Sequence, residues 1–226
     1  MNPLEIRNAT IARSNQTLIA DLNLRVEPGE VLTLMGVSGS GKSTLLNWII
    51  GALDPAFEAR GELWIGGERR DGLPIEARRI GILFQDDLLF PHLSVGKNLA
   101  FALPAKLEGR GARRRLIEDT LADVGLAGFF ERDPATLSGG QRARVSVLRA
   151  LLAEPDVLLL DEPFAKLDAV LREQFRSFVF ERIARLAIPA LLVTHDPDDV
   201  PAGGRVIEIS EFSEFNERSI GEVRDA

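Results

Sequence analysis

Nine consecutive residues early in the chain restrict its fold more than any other feature: Gly36, Val37, Ser38, Gly39, Ser40, Gly41, Lys42, Ser43 and Thr44, a Gly-x-x-x-x-Gly-Lys-Ser/Thr run. An apolar stretch of strand character, residues 31–35, leads into it, and an apolar helical stretch, residues 42–50, follows and stops near Gly51. Strand, glycine-rich loop and helix in that order form a grip for phosphate. Glycines let successive backbone N–H groups turn inward, the helix N-terminus adds partial positive charge, and Lys42 supplies a full one. Ser43 offers its hydroxyl to a magnesium ion. The same letters also suit a glycine-rich turn that precedes a helix; the flanking strand and helix favour the grip.

A second segment complements the first. Residues 157–160, Val-Leu-Leu-Leu, read as a buried strand that ends in Asp161 and Glu162. Asp161 suits the shell of a magnesium ion, and Glu162 stands next in line for an attacking water, either orienting it or taking its proton. In isolation an Asp-Glu pair after a strand is an ordinary polar loop start; the phosphate loop upstream gives it a hydrolytic meaning. Around these segments the pattern alternates. Residues 4–11 and 18–26 alternate apolar and polar and predict a small antiparallel layer closed by a turn at Pro28 and Gly29. Residues 61–65 and 80–84 read as further strands, separated by a Gly66–Gly67 turn and the charged stretch 68–79.

Between residues 86 and 154 the pattern is helical, with Leu116, Ile117, Leu121 and Val124, and then Val145, Leu148, Leu151 and Leu152, at helical spacing. Strand signals resume at residues 157–160 and 190–194, with a helix between them on which Phe175, Phe178, Val179, Ile183 and Leu186 share one face. The expected fold class is therefore α/β: a P-loop, RecA-like core with a parallel sheet, a small N-terminal antiparallel β layer and an inserted α-helical subdomain.

Composition removes several classes of function. A chain of 226 residues accommodates one catalytic unit with an inserted subdomain but not two in tandem. Its 45% hydrophobic and 27% charged residues suffice for a core, and a net charge of −7 argues against general affinity for nucleic acid. With no cysteine, disulfide frameworks and thiolate metal sites are excluded. The longest apolar stretches, near residues 45–53 and 157–160, are shorter than a bilayer span, and the N-terminus lacks the basic and apolar regions of a secretion signal. Any membrane association is expected through a partner. Residues 211–226 hold five acidic and two basic residues with weak periodicity and read as an acidic tail.

Leu137, Ser138, Gly139, Gly140 and Gln141 match without a mismatch the LSGGQ signature of ABC ATPases, and here the chain resembles a known family. Ser138 and the glycine N–H groups begin a helix, forming a second anion-binding end; in isolation a short serine-glycine N-cap is the better reading. The resemblance runs from about residue 4 to residue 209. It implies ATP and Mg2+ as ligands and a head-to-tail dimer in which each nucleotide lies between residues 36–44 of one copy and Ser138, Gly139, Gly140, Gln141 and Asp168 of the second. It makes Lys42, Gln85, Glu162 and His195 the catalytic set and Ser43, Gln85 and Asp161 the magnesium ligands. Gln85 corresponds to the glutamine that senses the permease, His195 to the histidine at the γ-phosphate, and Asp168 to the aspartate that couples the two sites.

Two positions depart from the family pattern. An aromatic ring usually lies under the adenine just after the first strand; this chain has no tyrosine, and Arg13 falls near that place. Arg13 either stacks its guanidinium plane on the base or is solvated, in which case base selectivity is loose. Lys166 replaces a small residue next to Leu167 and Asp168.

Residues 85–95, from Gln85 to Val95, look like the loop of bacterial importers that receives a permease's coupling helix, with Phe90, Leu93 and Val95 as its expected apolar floor and His92 as a groove or surface residue. The chain is similar to small ATPase subunits of binding-protein-dependent importers, a group that includes carriers of thiamine, ferric iron, sulfate and polyamines. This implies permease subunits, a second copy of the chain and an extracytoplasmic solute-binding protein as partners. It also implies a place on the cytoplasmic face of the inner membrane, peripheral through the permease. An exporter or lipoprotein-release ATPase, and a soluble ABC ATPase, remain as alternatives; the latter would carry tandem cassettes or a long coiled-coil insertion. The expected division is one ABC ATPase domain over residues 1–210, with a catalytic core at about 1–85 and 155–210 and a helical subdomain at about 86–154. No C-terminal regulatory barrel is expected. The transported solute is not legible.

Overall fold

Period-two alternation builds two sheets, seen in a computed structural model that describes residues 2–14, 16–165 and 167–212. The expectations for Lys166 and for the tail beyond Phe212 lie outside the described residues. In the first sheet β1 (Leu4–Arg13) pairs antiparallel with β2 (Gln16–Val26). After β3 (Val31–Met35), β4 (Phe57–Ile65) pairs with the other edge of β1 and β5 (Glu68–Arg69) extends it, giving the order β2-β1-β4-β5. Leu4, Ile6, Leu22, Leu63 and Ile65 all turn to one buried face. Register slips between Ile6 and Ala9, where Asn8 takes a φ of 51°, so a bulge restores the apolar alternation after the kink.

The second sheet is parallel. β6 (Ile80–Leu83), β7 (Val157–Asp161), β8 (Ala190–Val193), β3 and β9 (Val206–Glu208) lie in the order β6-β7-β8-β3-β9. Its strands are buried on both faces: Val157 and Leu159 face the core shared with the antiparallel sheet, whereas Leu158 and Leu160 face a second core. Strand β9 was not expected from the sequence. It is a three-residue edge strand, Val-Ile-Glu, too short to give the apolar run by which buried strands are recognised.

Helix α1 (Lys42–Ile50) packs between the sheets and ends at Gly51, whose φ of 87° is the left-handed cap conformation that glycine adopts without penalty. Arg78 closes the same end from outside, donating to the carbonyls of Trp48 and Ile49 at 2.8 Å each. Helices α2 (Val95–Ala102), α3 (Arg110–Ala122) and α4 (Gly139–Leu152) enclose a third core of Val95, Leu99, Ile117, Leu121, Val145 and Leu148. Helix α4 belongs to two cores, because Ala143 and Val147 on its other side join the sheet and α5 (Ala169–Leu186).

Two residues expected at helical spacing with the core residues lie outside the cores. Leu116 is 39% exposed, since Ile117 and Leu121 already fill the inward face of α3 and a residue one step away points about 100° off it. Leu186 is 50% exposed: α5 ends there, Ala187 turns left-handed, and Ile188 takes the buried position instead.

Candidate functional site

Parallel strands deliver their following loops to one edge, and the register of this sheet fixes which residues meet. Leu34 of β3 lies beside Val193 of β8, which lies beside Asp161 of β7, while Leu83 of β6 lies beside Leu160. Gly36, Glu162, His195 and Gln85, one or two residues beyond those strands, therefore start from a common edge.

Lys42 occupies the middle of the glycine-rich loop. Its side chain is buried, and Nζ donates to the carbonyls of Gly36 at 2.6 Å and Val37 at 2.8 Å and to Ser40 Oγ at 3.4 Å. Burial pushes the ammonium below the ordinary lysine range, against the carboxylates of Glu162, Asp161 and Glu208, which favour the charged form. Gly41 at the N-cap of α1 supplies no side-chain cap, so the first-turn N–H groups remain available to an anion. At Gly36 a Cβ would lie 2.7 Å from Ile209 Cγ2, so only glycine lets the segment after β9 close against the loop.

On the other side of the edge, Ser43 Oγ donates to Asp161 Oδ1 at 3.4 Å. Burial raises the Asp161 carboxyl above its usual range; the Ser43 bond and Lys42 pull it down, and Glu162 pushes it up. Glu162 has a φ of 47° and donates its N–H to Val193 O at 2.9 Å. A left-handed conformation at a non-glycine residue costs about 1–3 kcal/mol and persists where neighbours enforce it. Here it swings the Glu162 carboxylate out of the strand direction, to within 3.1 Å of His195 Nδ1. Ser43 and Asp161 are hard oxygen donors, and among the described residues no cluster of three or more acidic, His or Cys side chains forms a complete cage. That set fits Mg2+, which keeps several waters and takes one or two protein oxygens beside phosphate.

The remaining expected residues are distributed over other surfaces. Gln85 is exposed and lines a cavity of about 550 Å³ together with Leu88, Pro134, Gly139, Arg142, Pro163 and Leu167. Ser138 caps α4 in a reciprocal box, its Oγ accepting from Gln141 N at 3.3 Å while Gln141 Oε1 accepts from Ser138 N at 3.0 Å. Gly140 is required by close approach to α5, because a Cβ there would lie 2.3 Å from Leu171 Cδ2. Asp168 is exposed and caps α5, accepting from Leu171 N at 3.0 Å. Arg13 lies with Cζ 5.6 Å from the Phe57 ring centroid, next to a strand whose Leu18 and Ile19 pack against Gly41. Val95, expected in the apolar floor of the groove, is fully buried in the helical core, because it opens α2; Leu88 and Leu89 face the cavity in its place.

Sequence reasoning missed several groups of this region. Arg142 donates to Leu137 O at 2.6 Å and to Asp87 Oδ2 at 3.2 Å, joining the start of α4 to the loop after Gln85. Glu208 ends the unrecognised strand β9 beside Met35. Arg172, Asp196 and Asp199 form an ion-pair cluster next to His195. Asp196 and Asp199, in the acidic run directly after His195, carried a weak sequence signal, since an acidic residue this close to a core strand needs a partner if it is buried; Arg172 carried none.

A glycine-rich phosphate loop, a carboxylate pair at the end of a neighbouring strand and a helical layer with a serine-capped second anion end define a P-loop ATPase. The sequence pattern of the ABC transporter family matches residues 19–165, and the chain belongs to that family as an ATP-binding, ATP-hydrolysing subunit. It is 53% identical over 209 residues to the uncharacterized ABC transporter ATP-binding protein YnjD of Escherichia coli (strain K12), covering 92% of this chain and 96% of that protein. Identity to the Fe(3+) ions import ATP-binding protein FbpC 1 of Rhizobium meliloti (strain 1021) is 45% over 82% of this chain but 52% of the relative, so the chain spans about half the length of that protein. The aliphatic sulfonates import ATP-binding protein SsuB 2 of Burkholderia cenocepacia (strain HI2424) is 39% identical over 92% of this chain and 73% of its own length.

Proposed function

We propose that two copies of the chain bind Mg-ATP head to tail, each nucleotide lying between residues 36–44 of one copy and Ser138, Gly139, Gly140 and Gln141 of the other, and that hydrolysis drives solute import through a membrane permease. One observation carries the reading. The chain presents two helix N-termini suited to anions, α1 with Lys42 and α4 with Ser138, and the hydrogen bonds of each close within its own loop. A second copy supplies what one copy lacks.

In this reading Lys42 exchanges neutral carbonyl and hydroxyl acceptors for phosphate oxygens, a stronger charge-assisted set. Ser43, Asp161 and Gln85 would hold a magnesium ion, whose positive charge would offset the negative charge of the phosphates. Glu162 holds the attacking water, and His195, in contact with Glu162, faces the γ-phosphate. Asp168 couples the two sites, and Arg13 over Phe57 lies at the base. Loss of the γ-phosphate removes the contact that joins the copies, so the dimer reopens. Import is supported by the named functions of the iron and sulfonate relatives. The permease is placed at the groove beside Gln85 and Leu88, with a solute-binding protein beyond it, so the subunit acts peripherally at the cytoplasmic face of the inner membrane. Residues 1–85 and 155–210 serve as catalytic core and residues 86–154 as helical subdomain, a division supported by the separate helical core.

Light scattering in saturating Mg-ATP tests the dimer. Glu162→Gln, which retains the grip but not the carboxylate, is expected to run at twice the protomer mass, and Lys42→Ala to stay monomeric with weakened nucleotide binding. A monomeric Glu162→Gln protein that binds Mg-ATP would sink the sandwich.

A further inference from the structure

The loop carrying His195 is tied to the helix begun by Asp168 through an ion pair whose carboxylate is buried and whose arginine is part-buried. Asp199, with a side chain only 2% exposed, closes a single turn of 3-10 helix at Pro197–Asp199. Both of its oxygens are filled: Oδ1 accepts from Arg172 Nε at 2.8 Å, with Arg172 Nη2 in ion-pair contact at 2.7 Å, and Oδ2 accepts from Thr194 Oγ1 at 2.8 Å. Arg172 Nη2 also reaches Asp196 Oδ2 at 2.7 Å, and Asp196 N donates to Thr194 Oγ1 at 3.1 Å. His195 is thus flanked on both sides by residues held in one network. At its other end, Arg172 lies in the first turn of α5, where its N–H donates to Asp168 O at 2.8 Å.

We infer that Arg172 is a positioning residue: through Asp199, Thr194 and Asp196 it fixes the loop that carries His195 to the first turn of α5, so that a displacement of Asp168 is transmitted to the contact between His195 and Glu162. The inference rests on the proposed reading of His195 and Glu162 as the hydrolytic pair. Its physical basis is directionality. A planar guanidinium hydrogen-bonded to one carboxylate and ion-paired with a second has a preferred orientation, whereas an apolar pair of the same volume would hold the core without fixing the loop. Arg172 does not reach the reacting groups; it acts on them through the backbone of residues 194–196.

The pair is removed as a whole, Arg172→Met with Asp199→Leu, so that no buried charge is left alone. Turnover is expected to fall between about 10- and 100-fold while KM for ATP stays within about twofold, the pattern of a misplaced hydrolytic group rather than a damaged binding site. Arg172→Lys is expected in between, since an ammonium replaces one of the directed contacts. The chain has two histidines, so the imidazole NMR signals of His195 are assigned by His92→Gln. Asp168→Ala is expected to shift them in the parent and not in the double variant. Unchanged turnover in the folded double variant, equal losses in KM and folded fraction, or His195 signals that respond to Asp168→Ala in both backgrounds would each overturn the inference. Glu162→Gln measured alongside separates the two levels. If it turns over ATP at the parental rate, the hydrolytic assignment fails and takes this inference with it; if it is inactive while the Arg172→Met/Asp199→Leu protein is not slowed, the site stands and the positioning role alone is wrong.

Discussion

Thr33 sits in the middle of β3, fully buried, with its backbone paired on both sides, yet among the described residues its Oγ1 is the buried side-chain polar atom that has no hydrogen-bond partner. An orphaned hydroxyl in a core costs about 1–3 kcal/mol relative to a satisfied one, whereas an apolar isostere in the same space costs nothing of the kind. Valine has the shape of threonine and the higher preference for a two-faced strand. Thr33→Val is therefore expected to stabilise the chain by about 1 kcal/mol, which in a domain of this size raises the melting temperature by about 2–4 °C in calorimetry. A lower melting temperature would mean that the hydroxyl has a partner which this arrangement does not show. Lys42 is the opposite case. Its buried charge opposes folding, as the downward shift of its titration indicates, and the loop holds it for the anion it meets later.

Helix α4 shows at the element scale how a local sequence rule becomes a tertiary device. Its reciprocal box settles the first turn with two hydrogen bonds, and Gly140 lets that turn approach Leu171 of α5. Ser138→Ala removes one of those bonds and is expected to cost about 1 kcal/mol, seen as a fall of about 2–4 °C in melting temperature, together with loss of ATP-dependent dimerisation by light scattering. A thermal loss with dimerisation intact would assign Ser138 to the cap alone. The helix start at Ser138 was legible in the sequence, though not the return bond from Gln141, and so were β3 and α1, whose bounds follow from a mostly apolar strand, the glycine-rich loop and the Gly51 stop. What escaped were features fixed by distant partners. Strand β9 is held by pairing with β3 rather than by its own pattern, and Arg172 looks like any exposed helical arginine until the loop after β8 is folded against it. The same holds for the Glu162–His195 contact. The sequence proposes the two residues, but their proximity depends on the register that sets Asp161 beside Val193.

At the scale of the whole molecule the three cores divide the labour. One joins the antiparallel sheet to the parallel sheet through α1, one backs the parallel sheet with α4 and α5, and one belongs to the helices alone. Helix α4 contributes Val145 and Leu148 to the helical core and Ala143 and Val147 to the core behind the sheet, so its side chains link the two layers by continuous packing. Beside α4 lie the cavity at Gln85 and two large apolar side chains in water, Leu88 at 56% and Phe101 at 73% exposure. Phe101 meets Phe90 edge to face, with ring centroids 5.1 Å apart, so its exposure is held in place rather than incidental. No helix among the described residues is long and apolar enough to cross a membrane. On the proposed function, this patch is where the permease is engaged. Leu88 has a φ of 44°, a conformation that aspartate tolerates better than leucine, so Leu88→Asp is not expected to strain the loop. Combined with Phe101→Asp, it is expected to leave melting temperature and nucleotide binding near those of the parent while permease recovered with the tagged subunit from gently solubilised membranes falls at least about tenfold, the loss that follows when about 1.4 kcal/mol of contact energy is removed. If multi-span membrane protein is recovered undiminished, the permease docks elsewhere and the exposed pair needs another occupant. If only the nucleotide-dependent part of the recovery changes, the patch reports the ATP state instead of anchoring the subunit, and the rigid link through α4 becomes the element to cut next.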